Sequence, residues 1–205
     1  MTDDRGRNRT LVLLRHAKAE TPGEEILDVD RPLVARGRAA AVAVGTWLDR
    51  YGLRPDVVLC SPALRTRQTW AGVADGLTRQ TSAGATDGPA WRPSAGAADG
   101  PGAGSGSSPQ GDPTHSDPDV RYEPDIYEAL PGTLLTLIRS VPAEASTVLL
   151  VAHNPGVSLL SGLLDPTRPM HDGLSTAELA VHRTRGAWAD LSPGDATLVE
   201  RSRPT

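Results

Sequence analysis

The chain has 205 residues, 38% of them hydrophobic, a formal net charge of −4 and one cysteine. The lone cysteine excludes a disulfide framework and a cysteine zinc site, and the charge argues against nucleic acid or an anionic membrane as the main partner. The length suits one α/β domain, or one domain plus a disordered segment.

Met1 to Arg9 is polar and charged and lacks the apolar middle of a signal peptide. No apolar run approaches membrane-spanning length, so a cytoplasmic protein is expected. Leu11-Val12-Leu13-Leu14 is the first short apolar run, followed by a helical pattern from Val34 to Arg50 that Gly52 and Pro55 end. Val57-Val58-Leu59-Cys60 is the second run, in which Cys60 reads as a small core residue. A helix is expected from Ala63 to about Leu77. Residues from about 81 to 119 are dominated by Gly, Ala, Ser, Pro, Asp and Thr, with Trp91 as the only large apolar side chain. Such a stretch cannot bury enough apolar surface to offset its ordering entropy and reads as a flexible insertion in a single domain. The alternative is a lid anchored by Trp91.

Leu134, Leu135, Leu137, Ile138 and Val141 mark a third helix, ended by Pro142. Thr147 to Ala152 is the third apolar run, and Val157 to Leu164 a fourth helix, ended by Pro166. Looser alternation in Glu178–Arg183, Trp188–Leu191 and Ala196–Val199 predicts edge strands, with a hairpin turn at Pro193-Gly194. Continuous apolar strands alternating with helices predict a three-layer α/β/α sandwich around a mostly parallel central sheet.

The residues that carry chemistry stand immediately after the three apolar runs. After the first comes Arg15-His16, after the second Ser61-Pro62-Ala63-Leu64-Arg65, and after the third His153-Asn154-Pro155-Gly156. Open α/β sheets bind ligands at the carboxyl ends of their strands, so two histidines and two arginines are expected at one edge. Ser61-Pro62 and Asn154-Pro155 each read as an N-cap residue before a first-turn proline, which would add two positive helix ends. Arginine matches phosphate with a planar donor fork. Surrounding arginines are expected to keep one imidazole neutral and nucleophilic, while the other carries a proton to the transferring group. The leaving group needs an acid, for which Glu128 is the first choice and Glu20 and Asp30 are weaker ones. His115, His171 and His182 are expected to lie in the insertion, at the surface or on an edge strand, and no metal site is expected.

These residues resemble a known family. Leu11 to Ala17, Ser61 to Thr69 and Val151 to Gly156 are similar to the three signatures of the histidine phosphatase superfamily, with its phosphoglycerate mutase-like fold. Arg15-His16-Ala17, Asp30-Arg31-Pro32-Leu33 and the absence of a helical cap between the motifs look like its SixA-type phosphohistidine phosphatases. The resemblance implies that His16 is phosphorylated and then hydrolysed, and that Arg15, Arg65 and His153 bind phosphate, with outer contacts from Arg31 and Asn154. It implies no metal or organic cofactor. A phosphorylated protein, such as a phosphorelay domain, is the implied partner, and a small phosphomonoester or nucleotide the alternative. A module that only docks phosphorylated partners is the rival from another class. Val34 stands where the family often has a capping Thr, which costs a cap on the order of 1 kcal/mol.

Overall fold

The computed structural model describes residues 7–23, 26–81 and 117–205, so the expected insertion, Trp91 and His115 lie outside the described residues. Six strands form one sheet in the order β3-β2-β4-β1-β5-β6: β1 is Asn8–Arg15, β2 Val57–Cys60, β3 Asp119–Tyr122, β4 Thr147–Ala152, β5 Leu179–Arg185 and β6 Ala196–Ser202. The first four run parallel, and β5 and β6 add antiparallel to β1 and to each other. Alternation along each strand divides the core. Leu11, Leu13, Leu59 and Leu150 face α3 (Pro131–Arg139) and α4 (Gly156–Leu164), while Val12, Leu14, Cys60 and Val151 face α1 (Ala35–Arg50) and α2 (Leu64–Thr81). Both faces are covered, which is why these strands read as continuous apolar runs.

The two helical layers are packed differently. In α3 and α4, Leu134, Leu135, Ile138, Leu160 and Leu164 fill the space. In α1 and α2, small residues let backbone meet backbone: a Cβ added at Gly45 would lie 2.0 Å from the Val73 carbonyl oxygen, and one at Gly76 would lie 2.2 Å from that of Val42. This layer gains its contact from close approach, so a 38% hydrophobic chain still closes a core.

The tail departs from the expected pattern. Trp188–Asp190 is a 3-10 turn, not a strand, and the antiparallel partners are β5 and β6. Trp188 and Leu191 are both buried, and the indole N–H donates to the Ala145 carbonyl at 2.7 Å. Spacing of three, rather than two, carries those residues inward. His182 is neither at the surface nor on an edge strand. It is fully buried on β5, with one nitrogen 2.8 Å from Ser161 Oγ and the other 3.0 Å from the Ala196 carbonyl.

Candidate active site

Strands β2, β4 and β1 are neighbours, so their carboxyl ends deliver Ser61–Arg65, His153 and Arg15-His16 to one place. An open cavity of about 480 Å³ there is lined by Arg15, His16, Arg65, His153, Glu128, Arg31, Asn154 and Pro155, together with Asp28 and Tyr127. The four central residues expected from the sequence are brought together. Glu20 and Asp30 do not line the cavity.

The local bonds explain why these residues sit here. Thr69 Oγ1 accepts from the Ala17 N–H at 2.9 Å, and Gln68 Oε1 accepts from the Leu33 N–H at 2.6 Å. Helix α2 therefore grips both ends of the loop between β1 and α1. Residues 18–20 and 32–34 of that loop pair with each other, through Val34 N–H to Lys18 O and Glu20 N–H to Pro32 O. The excursion between them carries Asp28 and Arg31 to the cavity.

His16 is 9% exposed, and its Nδ1 lies 2.8 Å from the Ala17 carbonyl. A carbonyl oxygen only accepts, so Nδ1 bears the proton and Nε2 keeps its lone pair. Burial, more than the charges of Arg65, Arg15 and Arg31, lowers the His16 pKa to about 4, opposed by the Ala17 bond. His153 lies with its ring centroid 5.2 Å from that of His16 and its Nε2 2.8 Å from Ser61 Oγ. Burial, then Arg65 and His16, lower its pKa to about 3. A pKa held that low leaves His153 neutral at neutral pH unless an anion beside it draws a proton onto the ring.

The arginines are held by other groups. Arg15 Nη1 donates to the Leu174 carbonyl at 2.7 Å. Arg65 donates from Nη1 to the Asp28 carbonyl at 2.5 Å and from Nη2 to Asp28 Oδ2 at 2.9 Å. At this cavity, among the described residues, Arg15 Nε, Arg65 Nε and His153 Nδ1 are buried without a hydrogen-bond partner. Buried orphan donors are rare in folded chains, and the two guanidinium N–H groups match an acceptor-rich anion, as does His153 Nδ1 when it carries the ring proton.

Asp28 and Tyr127 are the residues that sequence reasoning missed. Asp28 accepts from the Tyr127 hydroxyl at 2.5 Å, from Arg65 and from Arg31 Nε at 2.8 Å. The Tyr127 bond, with Arg65 and Arg31 behind it, pulls the Asp28 carboxyl down to about 2. Tyr127 stacks edge-on to His153 at 5.5 Å, and the Arg65 guanidinium lies over its ring at 5.6 Å. The only sequence signal for Asp28 was its place three residues before Arg31.

One expected role changes, and one residue keeps its place at the cavity. Asn154 is not an N-cap: α4 begins at Gly156, its cap position is Pro155, and the Asn154–Pro155 peptide is cis. The Asn154 amide instead donates to the Leu174 carbonyl at 2.9 Å, and its oxygen accepts from Ser158 Oγ at 2.5 Å. It braces the carbonyl that holds Arg15. Glu128 is exposed at the cavity rim, with a positive φ of 57°. Cys60 is buried core as expected, and burial pushes its thiol up to about 12. Among the described residues no group of three or more His, Cys, Asp and Glu side chains is placed to hold a metal.

A six-stranded α/β sandwich with paired histidines and arginines at the strand ends defines a class of phosphate-handling enzymes. Residues 11–85 match the family description Histidine phosphatase superfamily (branch 1). The uncharacterized protein Rv1276c of Mycobacterium tuberculosis is 31% identical over 194 residues, 91% of this chain and 96% of that protein. A putative phosphohistidine phosphatase SixA from Nakamurella multipartitia has a solved structure similar to this one, with a TM-score of 0.70 and 30% identity over 98% of this chain and 99% of that one. A protein histidine phosphatase SixA complexed with tungstate shares the fold, with a TM-score of 0.66 at 20% identity, over 96% of this chain and 97% of that one. The chain belongs to the histidine phosphatase superfamily.

Proposed function

We propose that this protein is a phosphohistidine phosphatase that works through a phosphohistidine intermediate on His16. The observation that carries the reading is the setting of His16: Nδ1 tied to a carbonyl, which leaves Nε2 with its lone pair, and buried unpartnered nitrogens of Arg15, Arg65 and His153 at the same cavity. Nε2 attacks phosphorus as the bond from phosphorus to the substrate imidazole breaks, and the departing nitrogen takes a proton. Water then attacks the phosphorus on His16 and releases phosphate. Arg15, Arg65 and His153 take up the charge on the phosphoryl oxygens. A dianion in the cavity draws a proton onto His153, which then donates to it. Arg31 contacts the substrate phosphate from the rim once it lets go of Asp28. Asn154 acts through Leu174 on Arg15.

Glu128 is the acid we assign, because it lines the cavity from the rim, where a leaving group departs. Asp28 is bound to three donors that favour its ionised form, which makes it a poor acid. The four donor groups neutralise phosphate charge without a metal, and turnover is expected to persist in chelator. Protein-borne phosphohistidine, as in a phosphorelay domain, is favoured by the open cavity and by likeness to SixA proteins. The cavity volume also suits a small phosphomonoester, the second reading.

The test is trapping with a labelled phosphohistidine donor, alongside His16→Ala. Acid-labile, base-stable label on His16, absent from the variant, is the expected result. Turnover that survives His16→Ala sinks the mechanism. Binding of phosphorylated partners without turnover of any donor moves the protein to the docking-module class.

A further inference from the structure

A second hollow lies across the exit of β1 from the catalytic cavity. It holds about 600 Å³ and is lined by Lys18, Arg36 and Arg203, with Ala39, Thr176 and Ala177 between them. All three cations are exposed, and no Asp or Glu side chain lines the hollow. By contrast Arg54, Arg121 and Arg201 pair with carboxylates and Arg139 with a carbonyl. Among the described residues Lys18, Arg36 and Arg203 have no such partner. The start of α1 adds to the same field. Its N-cap, Val34, supplies no side-chain bond, and its first turn has no acidic residue.

The hollow and the catalytic cavity are lined by residues that are neighbours in the chain and through a backbone bond. Lys18 follows His16 by two residues, so their Cα atoms lie within about 7 Å. The Ala177 N–H donates to the carbonyls of both Arg15 and His16 at 3.2 Å. The hollow is therefore tied through Ala177 to the backbone that carries Arg15 and His16.

We infer that this groove docks an acidic segment of the phosphorylated protein substrate, carboxylates that flank the phosphohistidine. The inference rests on the phosphatase reading and adds a substrate class to it. The chain as a whole is negative, which repels an acidic partner, and the groove reverses that sign beside the site. Three cations spread over the loop after β1, the start of α1 and the tail after β6 suit an extended chain better than one compact anion.

Two phosphohistidine peptides test this, alike except that four flanking Glu in one are Gln in the other. Wild type is expected to hydrolyse the acidic peptide with about tenfold higher kcat/KM, the difference in KM, shrinking steeply as salt rises. In Lys18→Gln/Arg36→Gln/Arg203→Gln the two peptides should differ by less than about twofold, with free phosphohistidine hydrolysed as by wild type. A preference that survives the triple substitution overturns the inference, as does an equal loss on free phosphohistidine. Loss confined to small bisphosphates also overturns it, in favour of a small-anion subsite. Fluorescence anisotropy with the labelled, unphosphorylated acidic peptide gives a readout free of turnover. If no phosphohistidine compound is hydrolysed but that peptide binds wild type and not the variant, the phosphatase reading fails and the docking surface stands.

Discussion

Arg15 and Arg65 reach one cavity from two sides and are held there in opposite ways. Arg15 donates to a neutral acceptor, the Leu174 carbonyl, itself braced by Asn154, while the Leu174 N–H is fixed on Ser158 Oγ at 2.8 Å. Arg65 is held by the Asp28 carboxylate, which it shares with Arg31 and Tyr127. A carbonyl does not compete with an incoming anion for a guanidinium, and a carboxylate does. On the proposed reading one arm of the cavity is prepositioned for phosphate, and the other is shared with an internal anion that competes for two of its three guanidinium nitrogens.

The largest expected effect removes one arm altogether. Gly45→Leu drives a side chain into the Val73 backbone and separates α2, which carries Arg65, from α1. A loss of about 4 kcal/mol or more is expected in denaturant unfolding. A variant as stable as the parent would show that backbone contact does not hold this layer.

The next effect strips the charge balance from both arms at once. His16 and His153 have folded pKa values of about 4 and about 3, below the ordinary value of 6.5. Between those limits the unfolded chain binds more protons than the folded one. Stability therefore rises with pH through this window and falls as pH drops from about 6.5 toward 4, by a few kcal/mol. Thermal melts of the parent and of a His16→Gln/His153→Gln variant check this; the variant should lose most of the slope. Sulfate, a dianion throughout, should bind more tightly as pH falls over the same window, because it draws a proton onto His153.

Two smaller changes separate the arms by sign. Ser158→Ala removes the brace behind Arg15 and should weaken sulfate binding by about 1 kcal/mol. Asp28→Asn removes the competitor beside Arg65 and should tighten it by about 0.5–1 kcal/mol. Calorimetric titration of both variants decides the point. If both weaken binding, Asp28 is a positioning group for Arg65 and not its competitor.

The sequence made the centre of the cavity legible because its residues lie where apolar runs end. Strand ends are a local signal, and three of them carried Arg15-His16, Arg65 and His153. Asp28 and Tyr127 were not legible, because they meet across 99 residues of chain and neither stands directly at the end of an apolar run. Asn154-Pro155 read as a capped helix start, but the Asn154 side chain is taken by Ser158 and Leu174. In the tail, alternation at Trp188 and Leu191 imitated a strand because two buried residues three apart also fit a turn. The layers of the sandwich were legible throughout, since burial of both sheet faces leaves its mark on every core strand.

The antiparallel direction of β5 has a consequence for how such a cavity changes over generations. Because β5 starts, rather than ends, at the active edge, the wall near Arg15 comes from the segment 165–178 that precedes it. That segment is pinned at each end by its own carboxylate to β6: Asp165 accepts from the Leu198 N–H at 2.9 Å, and Glu178 pairs with Arg201 at 2.5 Å. Between those clips Leu174 and Ala177 are tied to Arg15 and His16, so the residues free to be exchanged are the exposed ones from Pro166 to Asp172. New specificity on this scaffold is expected to arise there by loop grafting, with the histidines left untouched.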